Sequence, residues 1–292
     1  MEPISSLVIL AGGASSRMKR DTPDTKGLSQ EDIQQANERS KGLIGVGQQG
    51  RPMVDYVLYN AKSAGFRNIY IVIGEDGQLF KEFYGSGGPG NLFHGMKINF
   101  PVQYIPTDRL KPFGTADALY QATEQYPELK SVRYSVCNSD NLYSIEALKA
   151  LRNIVSPNAF IAYDRDAMEF SQERISRFAL VNLDQDGFLL EIVEKPEIGQ
   201  MEGFRDASGK LRASMNAFTI DGVKMDPFLR DCPIHPIRNE KELPTAFLNM
   251  ARQHPGTTIG IPFSEHVPDL TAKEDILEVK KYLEKHSPTL DW

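Results

Sequence analysis

Directly after the apolar run Leu7-Val8-Ile9-Leu10 the chain reads Ala11-Gly12-Gly13-Ala14-Ser15-Ser16-Arg17-Met18. Glycines at such a turn let the main chain come close to a phosphate or a base, the backbone N–H groups can line an anion cradle, and Arg17 adds a forked cation. Glycine also serves tight turns and close packing, so the loop taken alone supports a structural role equally well. It matches neither of the two commoner nucleotide loops: no Gly-x-Gly-x-x-Gly opens a helix, and no Lys-Ser or Lys-Thr closes a P-loop. Asp140 is a second candidate. It follows the apolar stretch from Val132 to Cys137, and open α/β sheets place ligands at the carboxyl ends of their strands. An aspartate there also suits a turn or a helix N-cap.

The elements that position these residues alternate between apolar and amphipathic stretches, the pattern of strands interleaved with helices in a mostly parallel sheet. Leu7 to Leu10, Ile69 to Ile73, Val102 to Ile105 and Val132 to Cys137 read as strands. Met53, Val57, Leu58 and Ala61 recur at helical spacing up to Gly65. Thr115 suits an N-cap for a helix through Gln125, and Lys273 to His286 is amphipathic. Phe178 to Leu183 and Phe188 to Val193 flank Asp184-Gln185-Asp186-Gly187, which predicts an antiparallel hairpin in a second half of mixed sheet. Residues 19–40 and 85–91 are expected to be mobile surface loops.

With 292 residues and 40% hydrophobic content, the chain can bury a large core. A net charge of -6 offers no broad attraction to nucleic acid or anionic membrane, so a phosphate ligand must be gripped locally. Cys137 and Cys232 stand in no ligand or redox spacing and are read as reduced, packed thiols. The first apolar run is too short to span a bilayer and has no basic residues before it, so a cytoplasmic protein is expected.

The order of motifs narrows the reading. Leu10-Ala11-Gly12-Gly13-x-x-Ser16-Arg17-Met18, then Ser40-Lys41-Gly42-Leu43, then Arg51-Pro52-Met53-Val54-Asp55, resembles the sugar-phosphate nucleotidyltransferase family, in particular its glucose-1-phosphate thymidylyl- and uridylyltransferase-like members. Gly114-Thr115-Ala116-Asp117, Ser139-Asp140-Asn141, Glu194-Lys195-Pro196, Asn216-Ala217-Phe218 and Asp269-Leu270-Thr271-Ala272 are similar to its later motifs, in the same order. The resemblance implies an α/β three-layer sandwich with a mostly parallel central sheet and a mixed-sheet sugar-binding lobe. Residues 1–150 would form the nucleotide-binding half, and residues 151–292 the sugar-phosphate half and last helix. It implies a direct displacement: a phosphate oxygen of a sugar 1-phosphate attacks the α-phosphorus of a nucleoside triphosphate and pyrophosphate leaves. Mg2+ would be held by Asp140 and Asp269. The nucleotide would lie against Leu10, Ala11, Gly12, Gly13, Arg17, Lys41, Gly114 and Thr115. The acceptor would meet Asn138, Ala179, Glu194, Lys195 and Asn216, with Arg17, Lys41 and Lys195 as the working cations. Neither nucleic acid nor membrane is an expected partner, and self-association into a homo-oligomer is left open.

Some residues depart from the family pattern. Lys26-Gly27-Leu28 echoes Lys41-Gly42-Leu43, but only the latter leads into an apolar segment and Pro52-Met53, so Lys41 is the expected triphosphate ligand and residues 19–40 an enlarged loop able to act as a lid. Ser139 stands where the family often has glycine, and Phe178-Ala179 where it often has Tyr-Gly, both on the acceptor side. The family's base-reading glutamine has no obvious partner near Ile105-Pro106, although Gln103 is close. Glu242 resembles a helix-start glutamate of the family and reads equally well as an ordinary first-turn acid, and Thr271-x-x-Glu274 reads as a capping box. Transferases acting on phosphocholine, methylerythritol phosphate or molybdopterin share the glycine loop, and a non-catalytic nucleotide-sugar sensor could keep the same fold.

Overall fold

The computed structural model describes residues 2–20, 25–88, 90–176, 178–193, 198–287 and 289–292. The first apolar run forms β1 (Ser6–Leu10), buried on both faces. After it come α1 (Gln30–Glu38), α2 (Met53–Ala64) and β2 (Asn68–Gly74), then α3 (Gln78–Tyr84) and three short strands, β3 (Leu92–Phe93), β4 (Met96–Asn99) and β5 (Val102–Gln103). Next in order are α4 (Thr115–Gln125), β6 (Arg133–Asn138), α5 (Ile145–Asn153) and β7 (Asn158–Asp164). The chain continues through α6 (Gln172–Ile175), β8 (Leu180–Leu183), β9 (Leu189–Val193) and the long β10 (Arg212–Asp221). It closes with α7 (Gly222–Arg230), α8 (Leu243–Gln253), β11 (Thr258–Phe263) and α9 (Asp275–His286).

The central sheet runs β11-β7-β10-β6-β1-β2-β4-β3. β1 pairs in parallel with β2 and β6, and β11 with β7, while β10 lies antiparallel between β6 and β7. The two halves of the chain therefore share one sheet, joined through the reversed β10. Strand residues point alternately to opposite faces. Leu7, Ile9, Ile69 and Ile71 pack with Val57 and Leu58 of α2 and Leu148 of α5 on one side, and Val8, Val72 and Val136 with Leu119 of α4 and Phe247 of α8 on the other. These are the three layers of the expected sandwich. The expected hairpin also forms, with β8 and β9 antiparallel and Asp184 Oδ1 accepting from Phe188 N at 2.8 Å across the turn.

Two local expectations are corrected. Residues 19–40 are not simply a loop: residues 21–24 lie outside the described residues, but 30–38 form α1, whose start carries a complete capping box between Ser29 and Asp32. The helix packs Ala36 into a third apolar cluster with Ile44, Leu270 and Ile276, and Asp32 pairs with Lys280 of α9 at 2.6 Å. The second correction concerns α9. Glu274 caps nothing with its side chain; instead Asp275 Oδ2 accepts from both Thr271 N and Ala272 N at 2.7 Å. The Thr271 hydroxyl is thereby released to bond Asp269.

Candidate active site

Beyond β1 the ladder extends by one bond, Ala11 N to Val72 O at 2.8 Å, and then the chain leaves the sheet. The two glycines divide the roles that sequence left open. A Cβ at Gly12 would lie 3.2 Å from Gln103 Oε1 and 3.3 Å from Gly74 N, so Gly12 serves close packing against the end of β2. Gly13 faces open space. Met18 anchors the loop in the third cluster, while Arg17 is exposed with its guanidinium unpaired among the described residues. The far end of the loop is pinned by buried Lys273, whose Nζ donates to Arg20 O at 2.5 Å.

Lys41 opens a short 3-10 turn, Lys41–Leu43, that docks on both neighbouring strand ends. The Ser40 hydroxyl donates to Ala11 O at 3.0 Å, and a Cβ at Gly42 would lie 3.0 Å from both Cβ and Oγ of Ser139. Ser139 N in turn donates to Leu10 O at 3.1 Å. This packing carries Lys41 Nζ to 2.9 Å from Asp140 Oδ2, the two side chains being 15% and 19% exposed. The pair is shielded enough to be more than a solvated surface contact.

Asp269 arrives from the far end of the chain. Leu270 N donates to Asp140 O and Leu142 N to Pro268 O, both at 2.9 Å, so the two segments zip together with Asn141 opposite Asp269. Burial, and then the nearby Asp140 charge, push the Asp269 carboxyl above the usual aspartate range; Arg174, Lys41 and the Thr271 hydroxyl pull it back. Arg174 had no motif to announce it. Its Nη2 donates to Asp269 Oδ2 at 2.7 Å, the oxygen that also accepts from Thr271 Oγ1 at 2.8 Å. Each carboxylate therefore spends one oxygen on protein donors and keeps Oδ1 free among the described residues. Two neighbouring acids, each with a free oxygen, form a donor set suited to a hard cation such as Mg2+.

At the opposite wall, Gln103 is buried and its Nε2 donates to Gly114 O at 3.0 Å and Asp117 Oδ2 at 2.9 Å. Two acceptors on the same nitrogen fix the amide orientation, so Oε1 is the atom presented beside Gly12. Gly114, not Thr115, is the residue before α4; it has φ 101° and packs so tightly on Lys241 that a Cβ would collide with the Lys241 backbone. The Thr115 hydroxyl accepts from Leu243 N at 2.9 Å and so serves the start of α8, beside Glu242, which pairs with Arg238.

Among the residues expected to meet the acceptor, buried Tyr143 accepts from Asn138 N at 3.3 Å and donates to Met215 O at 2.7 Å, tying the end of β6 to the residue before Asn216. Asn138 Nδ2 donates to Asn141 Oδ1 at 3.1 Å. Asn216, at φ 57°, occupies the irregularity in β10 between Ser214 and Phe218. Ala179 immediately precedes β8. Glu194 and Lys195 lie outside the described residues.

A glycine loop at one strand end, a lysine–aspartate pair at the next, and a second aspartate returned to them lie together at the carboxyl edge of an α/β sheet. The chain belongs to the nucleotidyl transferase family, whose sequence model matches residues 6–209. Over 240 residues, 77% of this chain and 47% of the relative, it is 25% identical to the glucose-1-phosphate adenylyltransferase small subunit, chloroplastic/amyloplastic, of Triticum aestivum. Over 218 residues, 73% of this chain and 47% of the relative, it is 24% identical to the glucose-1-phosphate adenylyltransferase of Bradyrhizobium diazoefficiens. The chain thus spans about half the length of these curated relatives. No helix among the described residues is long and apolar enough to cross a membrane.

Proposed function

We propose that this chain joins a nucleoside triphosphate to a sugar 1-phosphate and releases pyrophosphate. The observation that carries the reading is the convergence of Lys41, Asp140 and Asp269 at the end of β1, where Ser40 bonds Ala11 and Ser139 bonds Leu10. An acceptor phosphate oxygen forms a bond to the α-phosphorus as the bond to the β-phosphate oxygen breaks, so the protein's task is to align two anions and neutralise growing charge. Arg17 and Lys41 bear on the triphosphate, and backbone N–H groups around Gly13 line its approach. Gln103 Oε1, held as an acceptor, reads an N–H on the base. Asn138 and Asn216 present amides to the sugar, and Lys195 holds its phosphate, with Glu194 accepting hydroxyls. Asp140 and Asp269 would hold Mg2+, which supplies neutralisation of phosphate charge.

The names of the relatives favour glucose 1-phosphate and an adenine nucleotide as the first pair to try. A cytoplasmic setting, where such triphosphates are abundant, goes with this reading. The test is pyrophosphate release by the purified protein with Mg2+, across the common nucleoside triphosphates and a panel of sugar 1-phosphates plus phosphocholine. Release is expected only when a triphosphate and a sugar 1-phosphate are both present. Turnover with phosphocholine alone would reassign the acceptor, and silence across the panel would point to a sensor.

A further inference from the structure

Arg174 belongs to none of the motifs that point to nucleotidyl transfer, yet it pairs directly with Asp269. Besides its bond to Asp269 Oδ2, Nη2 reaches the Asp269 carbonyl at 3.2 Å, and Nη1 pairs with Asp275. The Phe170 ring lies 4.3 Å from the guanidinium. Asp275 has a further source of compensation, the Thr271 and Ala272 N–H groups at the entrance of α9. Asp269 therefore meets one side-chain cation, as Asp140 meets Lys41. Two carboxylates facing two cations exert little net pull on a free divalent ion.

We infer that Arg174 is the charge-balancing residue of the Asp140–Asp269 pair: it keeps the pair's affinity for a free divalent cation low, so that the cation is retained only together with a phosphate-bearing ligand. The inference rests on the reading of Asp140 and Asp269 as the cation's carboxylates. Among the described residues no third carboxylate, imidazole or thiol joins them, so the ion's other ligands come from phosphate oxygens and water. The two balancing cations differ in freedom. Lys41 is a flexible ammonium that an incoming triphosphate can draw off Asp140, whereas Arg174 is clamped by Asp275 and Phe170 and stays. Arg174 thus sets the resting balance, and the arrival of phosphate shifts it. Removing one positive charge beside a divalent ion in a part-buried site strengthens binding by roughly tenfold or more.

The probe is Mn2+ alone, titrated into the protein without nucleotide, with free Mn2+ read by electron paramagnetic resonance. The unaltered protein is expected to bind in the millimolar range, Arg174→Gln at least about tenfold more tightly, and Arg174→Lys as weakly as the parent. Micromolar binding by the parent overturns the inference, as does a folded Arg174→Gln protein with no gain, or an Arg174→Lys protein that gains as much. Should Arg174→Gln fail to fold, Lys41→Gln carries the same expected gain, because it removes the other balancing charge from a part-exposed partner. Adding Asp140→Asn to Arg174→Gln should abolish the gain. A gain that survives puts the ion elsewhere and sinks the carboxylate assignment itself, whereas normal pyrophosphate release with no gain in Arg174→Gln sinks only the charge balance.

Discussion

Lys26-Gly27-Leu28 and Lys41-Gly42-Leu43 repeat one tripeptide within the first part of the chain, and the fold puts them to different uses. In the first, Leu28 packs among the residues that bury α9, Gly27 has φ 87°, and Lys26 is exposed with no side-chain partner among the described residues. In the second, Gly42 and Leu43 are buried, and Lys41 is aimed at Asp140. The segment on the C-terminal side of each tripeptide makes the difference. Ile44 and Val46 enter the apolar cluster and Met53 N donates to Ile44 O at 3.1 Å, so the second tripeptide is gripped from that side and pressed onto Ser139. The first leads instead into Ser29 and the polar α1, which pairs Asp32 with Lys280 of α9 and braces the second segment from behind, Gln35 Oε1 accepting from Gly45 N at 2.8 Å. The same residues become a candidate phosphate ligand or a docking turn according to the burial of their neighbours.

The largest effects should fall on the carboxylates that only the second tripeptide reaches. Asp140→Asn and Asp269→Asn are each expected to lose at least about a hundredfold in turnover, with the fold retained by circular dichroism. A folded variant turning over near the parent rate at limiting Mg2+ would remove that residue from the cation site. The comparison itself is tested next. Lys41→Ala should slow turnover by about a hundredfold and raise the nucleotide requirement, while Lys26→Ala should cost less than about tenfold. Steady-state kinetics with the nucleotide varied decide it, and the reverse order of damage would move the working lysine to the first tripeptide.

The parts of this arrangement that sequence revealed are those with a local signal. Leu7 to Leu10 and Ile69 to Ile73 are the unbroken apolar runs of β1 and β2, Met53 to Ala61 carries the helical period of α2, and motif order picked out Lys41, Asp140 and Asp269. The meeting of Asp140 with Asp269 was legible only through the resemblance to the family, because it depends on one isolated bridge between distant segments, and hydrophobic period says nothing about such a register. Arg174 was invisible for a related reason: α6 is four residues long, too short to show a period, and its meaning comes only from reaching Asp269 and Asp275. α1 did leave a signal in Ser29-x-x-Asp32, but its mean polarity hid the helix among loop residues. Thr115 looked like a cap for its own helix and serves another, since only the fold brings Leu243 within reach.

A smaller effect, and a sharper one, comes from the two glycines. Gly42→Ala places a Cβ against Ser139 Cβ, so the turn must back away from the strand end and carry Lys41 off Asp140; activity should fall by about tenfold with little change in melting temperature. Gly27→Ala puts a side chain into left-handed backbone and against Leu277, which should cost stability of about 1 kcal/mol and leave turnover within about twofold. Melting curves and rates measured on both proteins should therefore cross over: one variant slower, the other less stable. Equal losses of rate would show that both turns bear on the site.

The weakest expected effect tests whether the first tripeptide's region is held by charge. Burial disfavours the charged form of Asp32, but hydrogen bonds from Lys280 and from Ser29 outweigh it and leave the carboxyl below its ordinary range. A carboxyl lowered in the folded state contributes stability that is present above its unfolded pKa and is lost as pH falls through the folded one. Asp32→Ala removes the Lys280 pair and half of the capping box, so at neutral pH it should lower stability by about 1 kcal/mol, a shift of roughly 2–4 °C for a chain of this size. Because the parent loses the same contribution in acid, the gap between the two melting curves should close as pH drops below about 4. Turnover at neutral pH should stay within about twofold, since Asp32 faces Lys280 of α9, whereas α1 reaches the Lys41 segment through Gln35, whose Oε1 accepts from Gly45 N and which the substitution leaves in place. A gap that persists unchanged into acid would mean that α1 docks through Ala36 and its apolar neighbours alone, and a large loss of turnover would make the first tripeptide's helix part of the site.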